Sequence, residues 1–295
     1  MGGEINLTNS IPLTTIKAST PASGRLSHDR PASGVRSVRW PIDTRSINLQ
    51  YTVMMNSSPG PEQGVALVTG ATGGLGRALV ELLALRGYRV IAAARNPDRL
   101  PGIAGVTSLR LDVTDRRSIE AAMPALRAVD VVINNAGLNL GDGIAICRDP
   151  EAAEREMQVN FFGPLRLARA MVPLMKERGG GAIVNILSLL ALAPLPLCGS
   201  YSASKAAAHS MTQAMRAELR RWNVRVIGVY PGPIDTAMAA DLPEPKEPPS
   251  AVALAVVDAL DGGQDEVFPG AVAQDLGAMW RANPKALEAL FAGTN

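Results

Sequence analysis

The run Val65-Ala66-Leu67-Val68-Thr69-Gly70-Ala71-Thr72-Gly73-Gly74-Leu75-Gly76 constrains the fold more than any other stretch of this chain. Its first four residues read as a short apolar strand. The sequel Arg77-Ala78-Leu79-Val80-Glu81-Leu82-Leu83-Ala84-Leu85 has the apolar spacing of a helix. Glycines between a strand and a helix let the backbone adopt φ > 0 and approach an anion closely, while the free N–H groups of the helix start point at that anion. The combination predicts a phosphate cradle.

From Val65 onward strand and helix patterns alternate, which predicts a parallel sheet with helices on both faces. Strands fall near 65–69, 89–94, 106–111, 130–134, 181–187, 224–230 and 265–268; helices near 74–87, 115–127, 150–178, 201–222 and 249–261, with a short helical tail near 271–292. A chain of 295 residues holds one doubly wound α/β domain of the Rossmann type without strain, here expected over residues 54–295. In such a sheet ligands sit outside the carboxyl ends of the strands, at the switch in strand order. Gly70, Asn134, Ser188 and Pro231 each lie at or just past such an end, so four separated motifs are expected in one crevice.

Tyr201 and Lys205 stand four apart in a predicted helix and therefore share a face. An ammonium beside a phenol favours the phenolate and moves a group with an ordinary pKa of about 10 toward the range where proton transfer is useful. Ser188 lies upstream, at the end of an apolar strand.

The glycine run and the Tyr-x-x-x-Lys pair, in this order and together with Leu111-Asp112-Val113, Asn134-Asn135-Ala136-Gly137, Val159-Asn160 and Pro231-Gly232-Pro233-Ile234-Asp235-Thr236, resemble the short-chain dehydrogenase/reductase family in its shorter single-domain branch. The resemblance runs from Gly64 to the C-terminus. It implies hydride transfer between NADP(H) and a carbonyl or alcohol, with Tyr201 as proton donor and acceptor, Lys205 depressing the Tyr201 pKa and bonding the nicotinamide ribose, Ser188 polarising the substrate oxygen, and Asn160 holding a water that links Lys205 to solvent. It implies cofactor contacts at Gly70, Thr72, Gly74, Leu75, Gly76, Asn135, Ala136, Gly137, Tyr201, Lys205, Pro231, Gly232, Ile234 and Thr236. Asp112 with Val113 resembles the adenine-side contact, although Asp112 is equally placed to cap the helix starting near Asp115. Where an NAD enzyme of this kind carries a carboxylate at the end of the second strand, this chain has Ala94 followed by Arg95. A guanidinium grips a phosphate through paired hydrogen bonds, so NADPH is expected over NADH; the competing possibility is a solvated Arg95 at a strand end. A non-catalytic NADP(H)-binding sensor or scaffold of the same fold is the alternative function, and such proteins commonly lose the Tyr or Lys that stand here.

The net charge of +2 gives no global field for nucleic acid or an anionic membrane, and the expected partner is a small molecule. Cys147 and Cys198 are too few for a disulfide framework, which fits a cytoplasmic protein. The apolar stretch Ala182 to Cys198 is interrupted by Asn185, Ser188, Pro194 and Pro196 and reads as a buried strand and loop, not as a membrane span. No metal-ligand spacing is present, and His209 reads as a packed or surface helix residue. Leu187, Leu189, Leu190, Leu192, Leu195 and Leu197 either line an apolar substrate pocket or belong to the core. The Pro-rich segment 237–250, with Glu244, Lys246 and Glu247, is either a loop closing over substrate or a surface connection. Residues 1–53 are rich in Ser, Thr, Pro and Arg and are expected to be disordered; the Met54-Met55 pair makes a start assigned too early one explanation, and an organelle-targeting leader the other. The helices at 150–178 and 201–222 resemble those that pair subunits in relatives, implying a homodimer or homotetramer.

Overall fold

A computed structural model describes residues 63–100, 102–242 and 245–293. The expected extension over residues 1–53, the Met54-Met55 pair and Glu244 lie outside the described residues. Seven strands form one parallel sheet: β1 (Val65–Thr69), β2 (Arg89–Ala94), β3 (Val106–Arg110), β4 (Val131–Asn134), β5 (Gly181–Ile186), β6 (Val224–Val229) and β7 (Glu266–Val267). Their order is β3-β2-β1-β4-β5-β6-β7. The chain winds outward from β1 on one side and from β4 on the other, so the order reverses between β1 and β4, where a doubly wound sheet leaves its binding crevice.

The alternation of strand side chains decides which helix packs where. Ala66, Val68, Val131, Ile133, Ala182 and Val184 point to one face and pack with α1 (Gly74–Leu85) and with the helix Pro249–Gly262. Val65, Leu67, Val132, Ile183 and Val226 point to the other face, against α2 (Arg116–Leu126), the helix Gly163–Glu177 and the helix Gly199–Leu219. Both faces are covered, as a wholly parallel sheet requires.

The helix expected over 150–178 runs without a break from Ala152 to Glu177, as α3 (Ala152–Met157), a π turn at Gln158–Phe162, and α4 (Gly163–Glu177). The next helix, α5 (Gly199–Leu219), starts two residues earlier than expected. After α6 (Pro249–Gly262) and β7, the tail divides into α7 (Ala271–Ala282) and α8 (Pro284–Ala292), because Asn283 leaves helical geometry and its side chain caps α8 at Ala286 N. Leu189 and Ala193 pack with Ala273, Leu276, Leu287 and Phe291 of these two helices, and Leu190, Leu192 and Leu195 flank them. Leu187 lies in the sheet core. Most of the leucines around Ser188 are therefore packing residues, and only Leu197 is broadly exposed.

Candidate functional site

The glycines of the cradle have distinct duties. Gly70 has φ +64°, and a Cβ there would lie 2.8 Å from Ala136 Cα. A Cβ on Gly76 would lie 2.2 Å from the Gly70 carbonyl oxygen, and one on Gly74 would lie 2.8 Å from Thr236 Cγ2. These three allow the turn to close on the segments after β4 and β6. Thr72, Gly73 and Gly74 face solvent, and Gly73 provides no side-chain cap for α1. The first-turn N–H groups are thus available to an anion. The cradle is held from below by Thr69: its Oγ1 donates to Ile133 O (3.3 Å) and accepts from Asn135 N (3.0 Å) and Ala136 N (3.1 Å). Asn135 Nδ2 in turn donates to Thr69 O at 2.9 Å and Gly70 O at 3.2 Å.

Arg95 is exposed at the end of β2 beside buried Ala94, and it has no hydrogen-bond or ion-pair partner among the described residues. Asp112 does not cap α2. Asp115 does, accepting from Arg117 N at 2.9 Å. Asp112 Oδ1 instead takes the Thr114 N–H and hydroxyl at 2.9 and 2.7 Å, which closes a local turn. Val113 fills the space opposite Gly163, where a Cβ would lie 2.8 Å from Val113 Cγ2.

At the other end of the crevice, Tyr201 and Lys205 are both buried on the first turns of α5. Lys205 Nζ donates to Ile186 O at 2.7 Å and lies 5.7 Å from the centroid of the Tyr201 ring. Ser188 Oγ accepts from Leu190 N at 3.1 Å. Asn160, within the π turn, accepts from Leu138 N (2.9 Å) and donates to Leu138 O and Ser204 Oγ (both 2.8 Å). Its side-chain amide clamps the segment after β4 to α5. Gly137 joins the two ends: a Cβ there would lie 3.6 Å from Asn160 Oδ1 and 3.8 Å from Lys205 Nζ. Pro231 O accepts from Leu189 N at 3.1 Å, which brings the Pro231–Thr236 segment against the Ser188 strand end.

Burial dominates the electrostatics of Tyr201 and Lys205. Burial pushes the Tyr201 phenol well above its ordinary value, the Ser188 hydroxyl acts in the opposite sense, and the Cys198 thiol and Glu156 carboxylate add to the rise. Burial also pulls the Lys205 ammonium down, to about 8. Desolvation dominates both groups, and the Lys205 ammonium is directed at the Ile186 carbonyl.

The profile of the short chain dehydrogenase family matches residues 64–247, which is more than half of the chain. The chain belongs to that family. Among relatives of this short chain dehydrogenase, a short chain dehydrogenase from Burkholderia cenocepacia, solved in complex with NADP, is 45% identical with a TM-score of 0.75, covering 78% of this chain and 98% of that one. An uncharacterised oxidoreductase of Staphylococcus saprophyticus is 35% identical over 190 residues, 60% of this chain and 81% of its own length. A 3-ketodihydrosphingosine reductase of Bacteroides thetaiotaomicron is 32% identical over 176 residues, 58% of this chain and 64% of its own.

Some residues of this short chain dehydrogenase's site were not singled out in the sequence. Glu156 is fully buried, accepts from Leu140 N at 2.7 Å through Oε1, and has no partner for Oε2 among the described residues. It stands four residues before Asn160, so helical spacing alone places it on the same inward face. Thr69 and Ser204 are equally ordinary in sequence and acquire their roles through Asn135 and Asn160. His209, half-buried, hydrogen-bonds Tyr230 Oη at 2.8 Å and packs edge-on to Trp280, which is a packing role. Among the described residues no group of three or more His, Cys, Asp or Glu could hold a metal, and no helix is long and apolar enough to cross a membrane.

Proposed function

We propose that this chain transfers hydride between NADP(H) and the carbonyl or alcohol carbon of an apolar small molecule, with Tyr201, Lys205, Ser188 and Asn160 forming the proton-handling side. One observation carries the proposal: a glycine cradle and the buried Tyr201 and Lys205 with half-buried Ser188 lie at one edge of the sheet, joined through Gly137 and through the Pro231–Thr236 segment. The dinucleotide fits the residues present, since Gly70, Thr72, Gly74, Leu75 and Gly76 would cradle its pyrophosphate. Asp112 and Val113 would meet the adenine, and Asn135, Ala136, Gly137, Pro231, Gly232, Ile234 and Thr236 the nicotinamide half. Ala94 offers no carboxylate to repel a 2′-phosphate, and the Arg95 guanidinium beside it, without a partner among the described residues, would hold one. The NADP complex of the Burkholderia cenocepacia relative supports that choice, and the name of the Bacteroides thetaiotaomicron relative supports ketone reduction.

When bound, NADPH supplies the hydride. Tyr201, kept protonated by burial, gives its proton to the substrate oxygen as the carbonyl becomes an alcohol. Ser188 Oγ already accepts the Leu190 N–H, so its own proton is left to donate to that oxygen. Lys205, with a pKa near 8, exchanges protons readily around neutral pH and serves to reprotonate Tyr201. Asn160 holds the Leu138 segment and Ser204 in place around this pair.

The test follows NADPH oxidation against a panel of ketones and aldehydes, then repeats it with Tyr201→Phe. Turnover should vanish while calorimetric NADPH binding stays largely intact. Substantial residual turnover would remove Tyr201 from its role.

A further inference from the structure

Among the described residues no other acidic side chain is as deeply buried as Glu156, at 0% exposure. Its Oε1 accepts from Leu140 N at 2.7 Å, and its Oε2 is buried with no hydrogen-bond partner among the described residues. Burying a carboxylate with a single donor is costly, and an unsatisfied buried oxygen calls for a reason. The bond to Leu140 does not supply one, because a glutamine carbonyl would accept it equally without a buried charge. The charge itself needs a use.

The topology shows what that charge stands beside. All strands are parallel, so α3–α4, leading from β4 to β5, and α5, leading from β5 to β6, both run against the strand direction. They lie on the same face of the sheet and are therefore parallel to each other. Asn160 Nδ2 donates to Ser204 Oγ at 2.8 Å, which fixes their register. One turn toward the N-terminus from that contact stand Glu156 on α3 and Tyr201 on α5, and these two helices pack together. Axes of packed helices lie about 8–10 Å apart, so a buried carboxylate and a buried phenol at one level interact with little screening by water.

The other ionisable groups on the surrounding elements are Lys205 of α5, Cys198 just before it, and Asp142 and Arg148 of the segment after β4. Lys205 Nζ is directed at Ile186 O (2.7 Å), and the Asp142 carboxylate accepts from Arg148 N and Asp149 N. Arg148 is exposed and donates to Gly141 O, while Glu154 and Arg155 of α3 itself face solvent. None of these groups donates to Glu156 Oε2. Burial is the main cause of the upward shift at both Tyr201 and Cys198, and the Glu156 carboxylate adds to each.

We propose that Glu156 is a positioning residue of the proton-handling side, whose buried carboxylate keeps Tyr201 in the phenol form and so commits the site to carbonyl reduction over alcohol oxidation. The inference rests on the proposed hydride transfer and names the direction this chain favours. No bond to Glu156 forms or breaks. The proton given to the substrate oxygen is the Tyr201 hydroxyl proton, and a nascent alkoxide is a strong enough base to take it from a phenol. Oxidation needs the phenolate beforehand, and a neighbouring negative charge disfavours that form.

The experiment compares the wild type with Glu156→Gln, Glu156→Asp and the exposed control Glu154→Gln. One readout needs neither cofactor nor turnover: the rate of Cys198 alkylation by iodoacetamide against pH, in a Cys147→Ser background, reports the charge near the start of α5. The other is kcat/KM against pH for NADPH-dependent ketone reduction and for NADP-dependent alcohol oxidation. In Glu156→Gln the thiol midpoint and the alkaline limb of reduction should both move down by about one pH unit, and oxidation at about pH 8 should rise five- to tenfold. Glu156→Asp keeps the charge and Glu154→Gln removes a solvated one, so both should stay near the wild type. An unmoved thiol midpoint in Glu156→Gln overturns the electrostatic role. A moved thiol beside an unmoved reduction profile also overturns it, since the charge then does not act on Tyr201. A shift as large in Glu156→Asp as in Glu156→Gln overturns it in favour of packing. Should the wild type reduce no carbonyl, the reductase reading fails separately. Tyrosinate absorbance, taken as the difference from Tyr201→Phe, then decides the role of Glu156: an earlier onset in Glu156→Gln supports it, and an equal onset overturns it.

Discussion

Replacing Gly76 by alanine would put a methyl carbon 2.2 Å from the Gly70 carbonyl oxygen, 2.8 Å from Asn135 Nδ2 and 2.9 Å from Ala71 Cα. Two of these are backbone atoms, and the third is fixed by hydrogen bonds to Thr69 O and Gly70 O. Relief requires α1 to move away from the turn by nearly an ångström. Overpacking of this kind costs about 1–3 kcal/mol or more, offset by up to about 1 kcal/mol from the better helix propensity of alanine. A net loss of roughly 2 kcal/mol corresponds to a fall in Tm of about 4–8 °C for a domain of this size. Gly73 is the control. It lies in the same turn with φ −79°, and a Cβ there would meet only Gly70 O at 3.5 Å, an ordinary contact. Thermal unfolding of the two variants beside the wild type checks the reasoning, and NADPH titration should show Gly76→Ala weakened as the turn opens. A Gly76→Ala protein melting within about 1 °C of the wild type, or a Gly73→Ala protein falling as far, would refute the close-packed turn as the reason for glycine at 76.

Three further outcomes are expected. Thr69→Val removes one donor and one acceptor serving three bonds beneath the cradle and should cost about 2 kcal/mol in urea unfolding. Lys205 has a folded pKa near 8 against an ordinary 10.5, so between these values the unfolded chain holds a proton that the folded chain has released, and stability rises with pH. Urea unfolding at about pH 7 and pH 10 should therefore show the stability advantage of Lys205→Met shrinking by roughly 2–3 kcal/mol; an unchanged advantage would mean the ammonium is not desolvated. Arg95→Ala should weaken NADPH about tenfold to a hundredfold and NADH far less, read as Kd by fluorescence titration.

The strand pattern and the order of the motifs were legible because β1, β4, β5 and β6 are largely apolar stretches, and the site residues sit at or just past their ends. What sequence could not show were effects that depend on what covers a group. The leucines after Ser188 have one appearance whether they face a pocket or a helix, and α7 and α8 decide for the helix. The spacing of Tyr201 and Lys205 gave their shared face but not their depth, and depth sets the direction of both pKa shifts. Asp112 and Asp115 are both plausible caps in sequence; only the hydrogen bonds to Thr114 and Arg117 separate them.

The π turn at Gln158–Phe162 has the Gly163 N–H reaching back five residues to Gln158 O, which amounts to one residue more than a regular helix would hold. Deleting a single residue just after Asn160 would let α3 and α4 run together as one ordinary helix. Such a chain would gain the regular helical bond, and because Leu167, Met171 and Met175 hold α4 in the core, it is α3 and the Asn160 clamp that would turn by about 100°. Stability and site geometry pull in opposite directions at this one position, so a screen that selects for thermal resistance alone would be expected to erase it.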